Sequence, residues 1–321
     1  MIAVDVMGGD NAPCAIIGGA VRAAKSIPVT LFGPRVLIEE YLDKVAPDWR
    51  SYNINICDAK QIIDMGENPI KSVRKKSESS LVKAVWSVKD GYASAIVSAG
   101  NSGALMAASI FILGLDGNVQ RPAIAGFLPT VDFSRKVFVL DLGANTDCRA
   151  GHLFQFAMIG QKYLLDFGIT NPRVALLANG QEDSKGSLVT KEAFVLLKNS
   201  ELNFVGNIEP YDIFMSNKVD LVICDGFSGN VLLKTLETTC KMTQGWCNWV
   251  IDNENDFKMR AVLELWFKKF SQNIELRFGY KKQGGAQLLG VSGNVIICHG
   301  NSDAYAIENA IKFAWNISNK K

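Results

Sequence analysis

Five short apolar runs each give way to polar residues and a Gly-rich loop that enters a helical pattern. The loops read Asp5-Val6-Met7-Gly8-Gly9-Asp10, Ser98-Ala99-Gly100-Asn101-Ser102-Gly103, Asp141-Leu142-Gly143-Ala144-Asn145, Asp225-Gly226-Phe227-Ser228-Gly229-Asn230 and His299-Gly300-Asn301-Ser302-Asp303. They follow the runs Ile2–Val6, Ala95–Val97, Val137–Leu140, Leu221–Cys224 and Val295–Cys298, and Val29–Phe32, Ile54–Cys57 and Val174–Leu177 continue the series. Runs without polar alternation fit strands buried on both faces, as parallel sheets require. Helical patterns lie between them, at Asn101–Leu113, His152–Asp166, Ser187–Lys198 and Ser302–Ile317. Strand and helix alternating in this way predict an α/β fold with a doubly wound, mostly parallel sheet. No low-complexity linker or internal repeat interrupts the chain, so residues 1–321 read as one α/β domain.

One segment departs from the rhythm. From Asn230 to about Ile274 the pattern is helical, with a polar break at Asp252–Asp256, which predicts a projecting helical hairpin over 231–275. Three of the six tryptophans, Trp246, Trp249 and Trp266, fall here, with Lys258, Arg260, Lys268 and Lys269 nearby. Core packing, a dimer interface, and a membrane-surface or carrier-protein contact all fit this composition.

Glycine, asparagine and serine after a strand commonly make βα turns and helix caps. Five such loops with one grammar point further, because open α/β sheets bind ligands outside the carboxyl ends of their strands. Glycine lets backbone N–H groups approach an anion, and each helix N-terminus adds partial positive charge. Gly8, Gly9, Asp10, Ser98, Asn101, Ser102, Asn145, Asp225 and Ser228 are therefore the candidate phosphate- or substrate-binding residues.

Composition excludes several classes. The net charge of +2 gives no basic stripe for nucleic acid, and the apolar runs fall short of the ~20 residues of a membrane span. The chain passes from Met1 straight into Ile2–Val6, so no signal peptide is expected, and seven scattered cysteines without a C-x-x-C suit a reducing cytoplasm. Two histidines, His152 and His299, do not make a zinc site. The sequence lacks a P-loop, a post-strand G-x-G-x-x-G and a G-x-S-x-G elbow, so no cofactor is expected. Asp5, Asp141 and Asp225 stand singly at strand ends and read as loop-organising carboxylates rather than metal ligands.

A site rich in backbone donors and poor in nucleophiles suits substrates that bring their own reactivity. Phosphate attacking a thioester needs no general base, and a thiol of pKa about 8.5 leaves without a strong acid. Positioning, charge neutralisation and an oxyanion hole remain for the protein to supply. Candidate cations are Lys185, in the loop after Val174–Leu177, and the cluster Arg74-Lys75-Lys76, which could clamp phosphate or dock an acidic carrier protein. Both also read as solvated surface charge. His299 could protonate a departing thiolate or be a structural histidine.

The opening Ile2-Ala3-Val4-Asp5-Val6-Met7-Gly8-Gly9-Asp10-Asn11-Ala12-Pro13 closely resembles the signature of the bacterial phosphate acyltransferases, acyl-[acyl-carrier-protein]:phosphate acyltransferases of phospholipid synthesis. Ser72–Lys76, Ser98–Leu105, Arg121–Ala125, Asp141–Asp147, Cys224–Lys234, Gly284–Leu289 and Ile296–Ala304 extend the resemblance through nearly the whole chain. It implies transfer of a long-chain acyl group from acyl-[acyl-carrier-protein] to inorganic phosphate. It also implies a homodimer, an isocitrate-dehydrogenase/phosphotransacetylase-like fold and a cytoplasmic, peripherally membrane-associated protein. The acyl phosphate would feed a membrane glycerol-3-phosphate acyltransferase. By position, Lys185 and Asn230 fall on the family's loop pattern as catalytic residues, with His299 the candidate acid and Arg74, Lys75 and Lys76 the carrier-protein dock. Gly180-Gln181-Glu182 and Gln287 depart from the family's usual Gly-Glu-Glu-like stretch and proline. A phosphotransacetylase using short acyl-CoA is the rival enzyme, and a non-catalytic membrane-recruited scaffold the rival of another class.

Overall fold

The structure, a computed structural model, describes the chain apart from residues 133, 279–281, 283 and 320–321 and the side chains of 275 and 278. The strands are β1 (Ile2–Asp5), β2 (Val29–Gly33), β3 (Ile54–Asp58), β4 (Ala95–Ser98), β5 (Ala123–Pro129), β6 (Lys136–Leu140), β7 (Val174–Leu177), β8 (Phe204–Ile208), β9 (Leu221–Ile223), β10 (Ala286–Leu289) and β11 (Asn294–Ile297). The helices are α1 (Cys14–Ala24), α2 (Arg35–Val45), α3 (Pro69–Lys75), α4 (Ser80–Lys89), α5 (Ser102–Ala108), α6 (Ala150–Leu165), α7 (Leu188–Lys198), α8 (Pro210–Met215), α9 (Gly226–Asp252), α10 (Phe257–Phe278) and α11 (Ala304–Ser318).

Where the sequence suggests one domain, the chain divides into two compact units. Met1–Gly126, Lys162–Gly168 and Tyr280–Lys321 form the first, and Phe127–Gln161 with Ile169–Gly279 the second. Each draws on separated stretches, so no linker marks the division.

In the first unit the strand order is β3-β2-β1-β4-β11-β10-β5. β1 pairs in parallel with β2 and β4, and β4 with β11, while β10 runs antiparallel to both β11 and β5. Side chains alternate between faces with period two. Ile2, Val4, Ala95, Val97 and Ile296 join one apolar cluster with α1, α2 and α11. Ala3, Ile96, Val295 and Ile297 join another with α4 and α5. Helices on both faces are what doubly wound means, and they explain strands that read as unbroken apolar runs.

In the second unit β6, β9, β7 and β8 lie in that order, all parallel. Val137, Phe138, Val139, Leu140, Val174 and Leu221 are fully buried or nearly so. Gly160 lets α6 lie close on the sheet, since a Cβ there would come 2.9 Å from the Leu221 methyls. β5, β8 and β10 escape the apolar-run reading. Gly126, Gly206 and Gln287 interrupt them, and β8 carries exposed Val205 beside Gly206, whose φ of +98° suits glycine. The helix expected to Leu113 ends earlier, as a π-helical turn over Ser109–Leu113.

The hairpin is present and starts sooner than expected. α9 runs 27 residues from Gly226, ~40 Å at 1.5 Å per residue, and packs against α10 across a turn at 253–256. Its tryptophans are not core. Trp246 is 71% exposed, Phe257 85%, and Trp249 and Trp266 are exposed too. Trp266 stacks on Phe270 with ring centroids 5.0 Å apart. No helix among the described residues is long and apolar enough to cross a membrane.

Phe138 tests the second unit's core. It is almost fully buried in β6, with its ring 4.6 Å from Phe127. Phe138→Ala is expected to cost about 3–5 kcal/mol, read as a lower urea midpoint with an unchanged slope.

Candidate active site

At the end of β6 the chain must turn within a few residues, and a fully buried carboxylate organises the turn. Asp141 Oδ1 accepts from the N–H of Gly143 (3.0 Å) and Ala144 (2.9 Å), and Oδ2 from Asn145 N (2.7 Å) and Nδ2 (2.8 Å). Charge-assisted bonds of this kind exceed neutral ones in strength. The turn is closed from the other side by the start of α9. Gly226 N donates to Asn145 O at 2.7 Å, and a Cβ on Gly229 would stand 1.9 Å from the Asp141 carbonyl oxygen. Asp225 caps α9, accepting from Ser228 N (2.7 Å) and Ser228 Oγ (3.1 Å). Asn145, Asp225 and Ser228 are thus brought together, with exposed Asn230 one turn into α9 and alongside Gly143.

Cys224, Asp225 and Ser228, which adjoin this turn, also line a groove of about 1040 Å³. Leu176, Leu177, Phe214, Met215, Phe227, Val231, Leu232 and Leu236 supply apolar lining. Its polar lining includes Asp225 and Ser228 at the start of α9, Asn179, Gly186, Ser187 and Thr190 around the 179–190 loop, and Tyr211, Thr235 and Thr239. Sequence reading missed the groove, because its walls come from β7, α7, α8 and α9 and carry no local motif.

Lys185 stands in the loop that supplies Gly186 and Ser187 to the groove. The loop is held by side chains. Asn179 Oδ1 accepts from Gly186 N (2.9 Å), Asn207 Nδ2 donates to Glu182 O (2.8 Å), and Gln181 donates to Asp212. Gly180 leaves room for the Lys185 stem, which would lie 2.8 Å from a Cβ there. Gln181, a departure from the expected family pattern, therefore ties the loop to α8. Lys185 itself is exposed.

Cys224 is the thiol nearest this turn, and it is buried with Sγ 3.5 Å from Asp141 O. Burial first, then the Asp141 and Asp225 carboxylates, push its pKa well above the ordinary thiol value, so it stays protonated near neutral pH. His152 is buried and accepts from Arg149 N through Nδ1 at 3.1 Å, near the start of α6.

The first unit holds the other candidates. Buried Asp5 accepts from Ser80 Oγ (2.6 Å) and Ser98 Oγ (2.7 Å), and Gly100 N donates to Ser98 Oγ (3.1 Å). Burial raises the Asp5 pKa against the lowering effect of these bonds. Gly8 lets two loops touch, since a Cβ there would meet Gly100 N at 2.6 Å. Gly9 has φ +104°, and Asp10 N donates to Gly300 O at 2.8 Å. Asn101 caps α5 through Ala104 N, while its Nδ2 donates to the carbonyls of Asp64, Met65 and Glu67. The turn-and-cap reading therefore describes Asp5, Ser98 and Asn101, whereas Ser102 remains exposed. His299 is partly buried in this unit, and its carbonyl accepts from Ser302 N and Oγ. Lys185 and Asn230 lie in the second unit and His299 in the first.

The basic trio divides by role. Lys76 donates to Ile62 O (2.6 Å) and pairs with Glu67, whose pKa is lowered to about 2 by the Asp64 N–H, Lys76 and Ser72. Arg74 and Lys75 are exposed, with the Arg74 guanidinium 5.3 Å from the Phe111 ring centre.

Residues 1–321 match the family described as fatty acid synthesis protein. The phosphate acyltransferase of Trichlorobacter lovleyi is 44% identical over 317 residues, covering 98% of this chain and 89% of that protein. That of Bacillus pumilus is 42% identical over 323 residues, covering 99% and 94%. Among solved structures, a phosphotransacetylase from Streptococcus pyogenes has TM-score 0.61 at 17% identity, covering 98% of this chain and 93% of that one. A branched-chain phosphotransacylase from Enterococcus faecalis has TM-score 0.61 at 13% identity, covering 99% of each chain. These two likenesses establish a shared fold.

The Asp141 turn is open to direct test. In Asp141→Asn an amide NH₂ replaces an oxygen that now accepts two N–H bonds, whichever way the group is flipped. The expected cost is about 2 kcal/mol or more, measured as a drop in the urea midpoint, with loss of activity at the groove.

Proposed function

The chain belongs to the phosphate acyltransferase family of fatty acid synthesis proteins, and on that premise we propose that it moves a long-chain acyl group from acyl-[acyl-carrier-protein] to inorganic phosphate. The observation that carries the choice of donor is the apolar groove of about 1040 Å³ whose polar groups stand on strand-end loops. A ligand pocket of this size, largely apolar with a few placed polar groups, suits an acyl chain ending in a polar head. A two-carbon acyl group would leave most of the apolar lining unused, which argues against short acyl-CoA.

The chemistry follows from the groups present in the second unit. The acyl chain lies along Leu176, Phe214 and Leu232, with its thioester carbonyl towards Ser228 and Gly186. A phosphate oxygen attacks the carbonyl carbon, and the electron pair moves onto the carbonyl oxygen. Lys185 neutralises charge on phosphate or on the tetrahedral oxyanion, and the Asn230 side-chain amide donates to it. The oxyanion then collapses, the C–S bond breaks, and the carrier protein's thiolate leaves and takes a proton from solvent. Acyl phosphate remains. Cys224, held as a neutral thiol, supports direct attack without an acyl-enzyme. An acyl phosphate is a reactive mixed anhydride, suited to acylating the hydroxyl of glycerol 3-phosphate in phosphatidic acid synthesis.

Carrier-protein docking is assigned to exposed Arg74 and Lys75. The hairpin is assigned to the homodimer contact, with exposed Trp246, Trp249, Phe257 and Met259 available to a bilayer surface from the cytoplasmic side.

The test is a steady-state assay with purified protein. Hexadecanoyl-[acyl-carrier-protein] is expected to yield acyl phosphate only when phosphate is present, and faster than acetyl-CoA does. Lys185→Ala and Asn230→Ala are expected to lower kcat/KM at least ~100-fold, as loss of an oxyanion donor does. Acetyl-CoA as the better donor would replace this reading with the rival, and unchanged rates in both variants would remove those residues' roles.

A further inference from the structure

A second, smaller cavity of about 430 Å³ lies in the same unit and is not used by the chemistry above. Pro129, Val131, Phe270 and Ile274 line it together with the polar Thr130, Asn273 and Arg277. Phe214, Met215 and Leu236 line it as well, and the same three residues line the larger groove. They form a partition between the two spaces. We propose that this partition opens by side-chain rotation and that the smaller cavity receives the distal end of a long acyl chain, so that it sets the enzyme's chain-length limit. The inference rests on the reading of the groove as the acyl site.

The construction of the partition supports a side-chain gate rather than a moving helix. α8, which carries Phe214 and Met215, is tied at its middle and its last turn. Val131 N donates to Phe214 O at 2.8 Å, and buried Asp212 takes Lys218 Nζ at 2.9 Å together with Gln181. Met215 has three rotatable side-chain bonds and is half exposed, so it can rotate while the backbone stays in place. The occupant follows from chemistry. The cavity adjoins the acyl groove through an apolar wall, and most of its remaining lining is apolar, so a ligand entering from the groove would be the hydrocarbon end of the chain.

The test is a chain-length profile in the intact protein, using octanoyl- to octadecanoyl-[acyl-carrier-protein]. Ile274→Trp fills the cavity away from Lys185 and Asn230. It is expected to slow hexadecanoyl and octadecanoyl transfer at least ~10-fold, the effect of leaving about two methylenes unburied, while octanoyl transfer stays near wild type. Met215→Ala is expected to move the preference towards longer chains. A hexadecanoyl thioester with a photoreactive terminal diazirine should label α10 near Phe270 in the wild-type protein, a readout independent of whether the variants fold. Labelling confined to the walls of the larger groove, or an unchanged profile in a folded Ile274→Trp, overturns the proposal. Absence of phosphate-dependent transfer at every chain length in wild type would instead overturn the underlying acyl-transfer reading.

Discussion

Asp141 places its carboxylate where four N–H groups converge, in a position with no solvent exposure. Each of those donors would otherwise be left at a tight turn beside a packed strand, and an unmade buried bond is costly. Filling them fixes the 141–145 backbone. Gly226 and Gly229 can then press α9 directly against it, with room for no side chain between them. The position of α9 decides the rest. Its first turns carry Asp225, Ser228 and Asn230, its next turns wall the groove with Val231, Leu232 and Leu236, and its far half becomes the exposed hairpin.

One helix therefore carries candidate site residues, much of the groove wall and the exposed hairpin. The polar residues of the groove stand near a lysine, and the buried thiol beside them, Cys224, is held protonated by burial and two carboxylates. Such a site can speed a reaction by positioning and charge stabilisation. Phosphate and a thioester are reactants for which that is sufficient. On the proposed reading, the apolar length of the groove gives a long chain its grip, with the binding energy coming from methylenes far from the reacting carbon.

Much of the architecture was legible in the sequence because it is local. Unbroken apolar runs revealed the central parallel strands, and the break in rhythm after Asn230 revealed the hairpin. β8 and β10 were hidden because Gly206 and Gln287 interrupt short strands that rely on neighbours for their burial. The Gly-rich loops were visible, but their working parts were not. Asn101 spends both ends of its amide on a helix cap and on carbonyls 34 to 37 residues away, a partnership that only tertiary structure creates. Lys76 is likewise committed to Glu67 and Ile62, although its neighbours Arg74 and Lys75 are exposed. The groove left no trace in sequence, being assembled from Leu176, Thr190, Phe214 and Leu232 on separate elements.

Direct attack by phosphate is the step on which the proposed reaction turns, and a single-turnover experiment addresses it. Enzyme in excess over hexadecanoyl-[acyl-carrier-protein] is mixed rapidly in phosphate-free buffer, and free carrier-protein thiol is followed before and after phosphate is added. Direct attack predicts no thiol release until phosphate arrives, then release and acyl phosphate formation with one shared rate constant. A burst of thiol before phosphate, with acyl mass added to the protein, would contradict it.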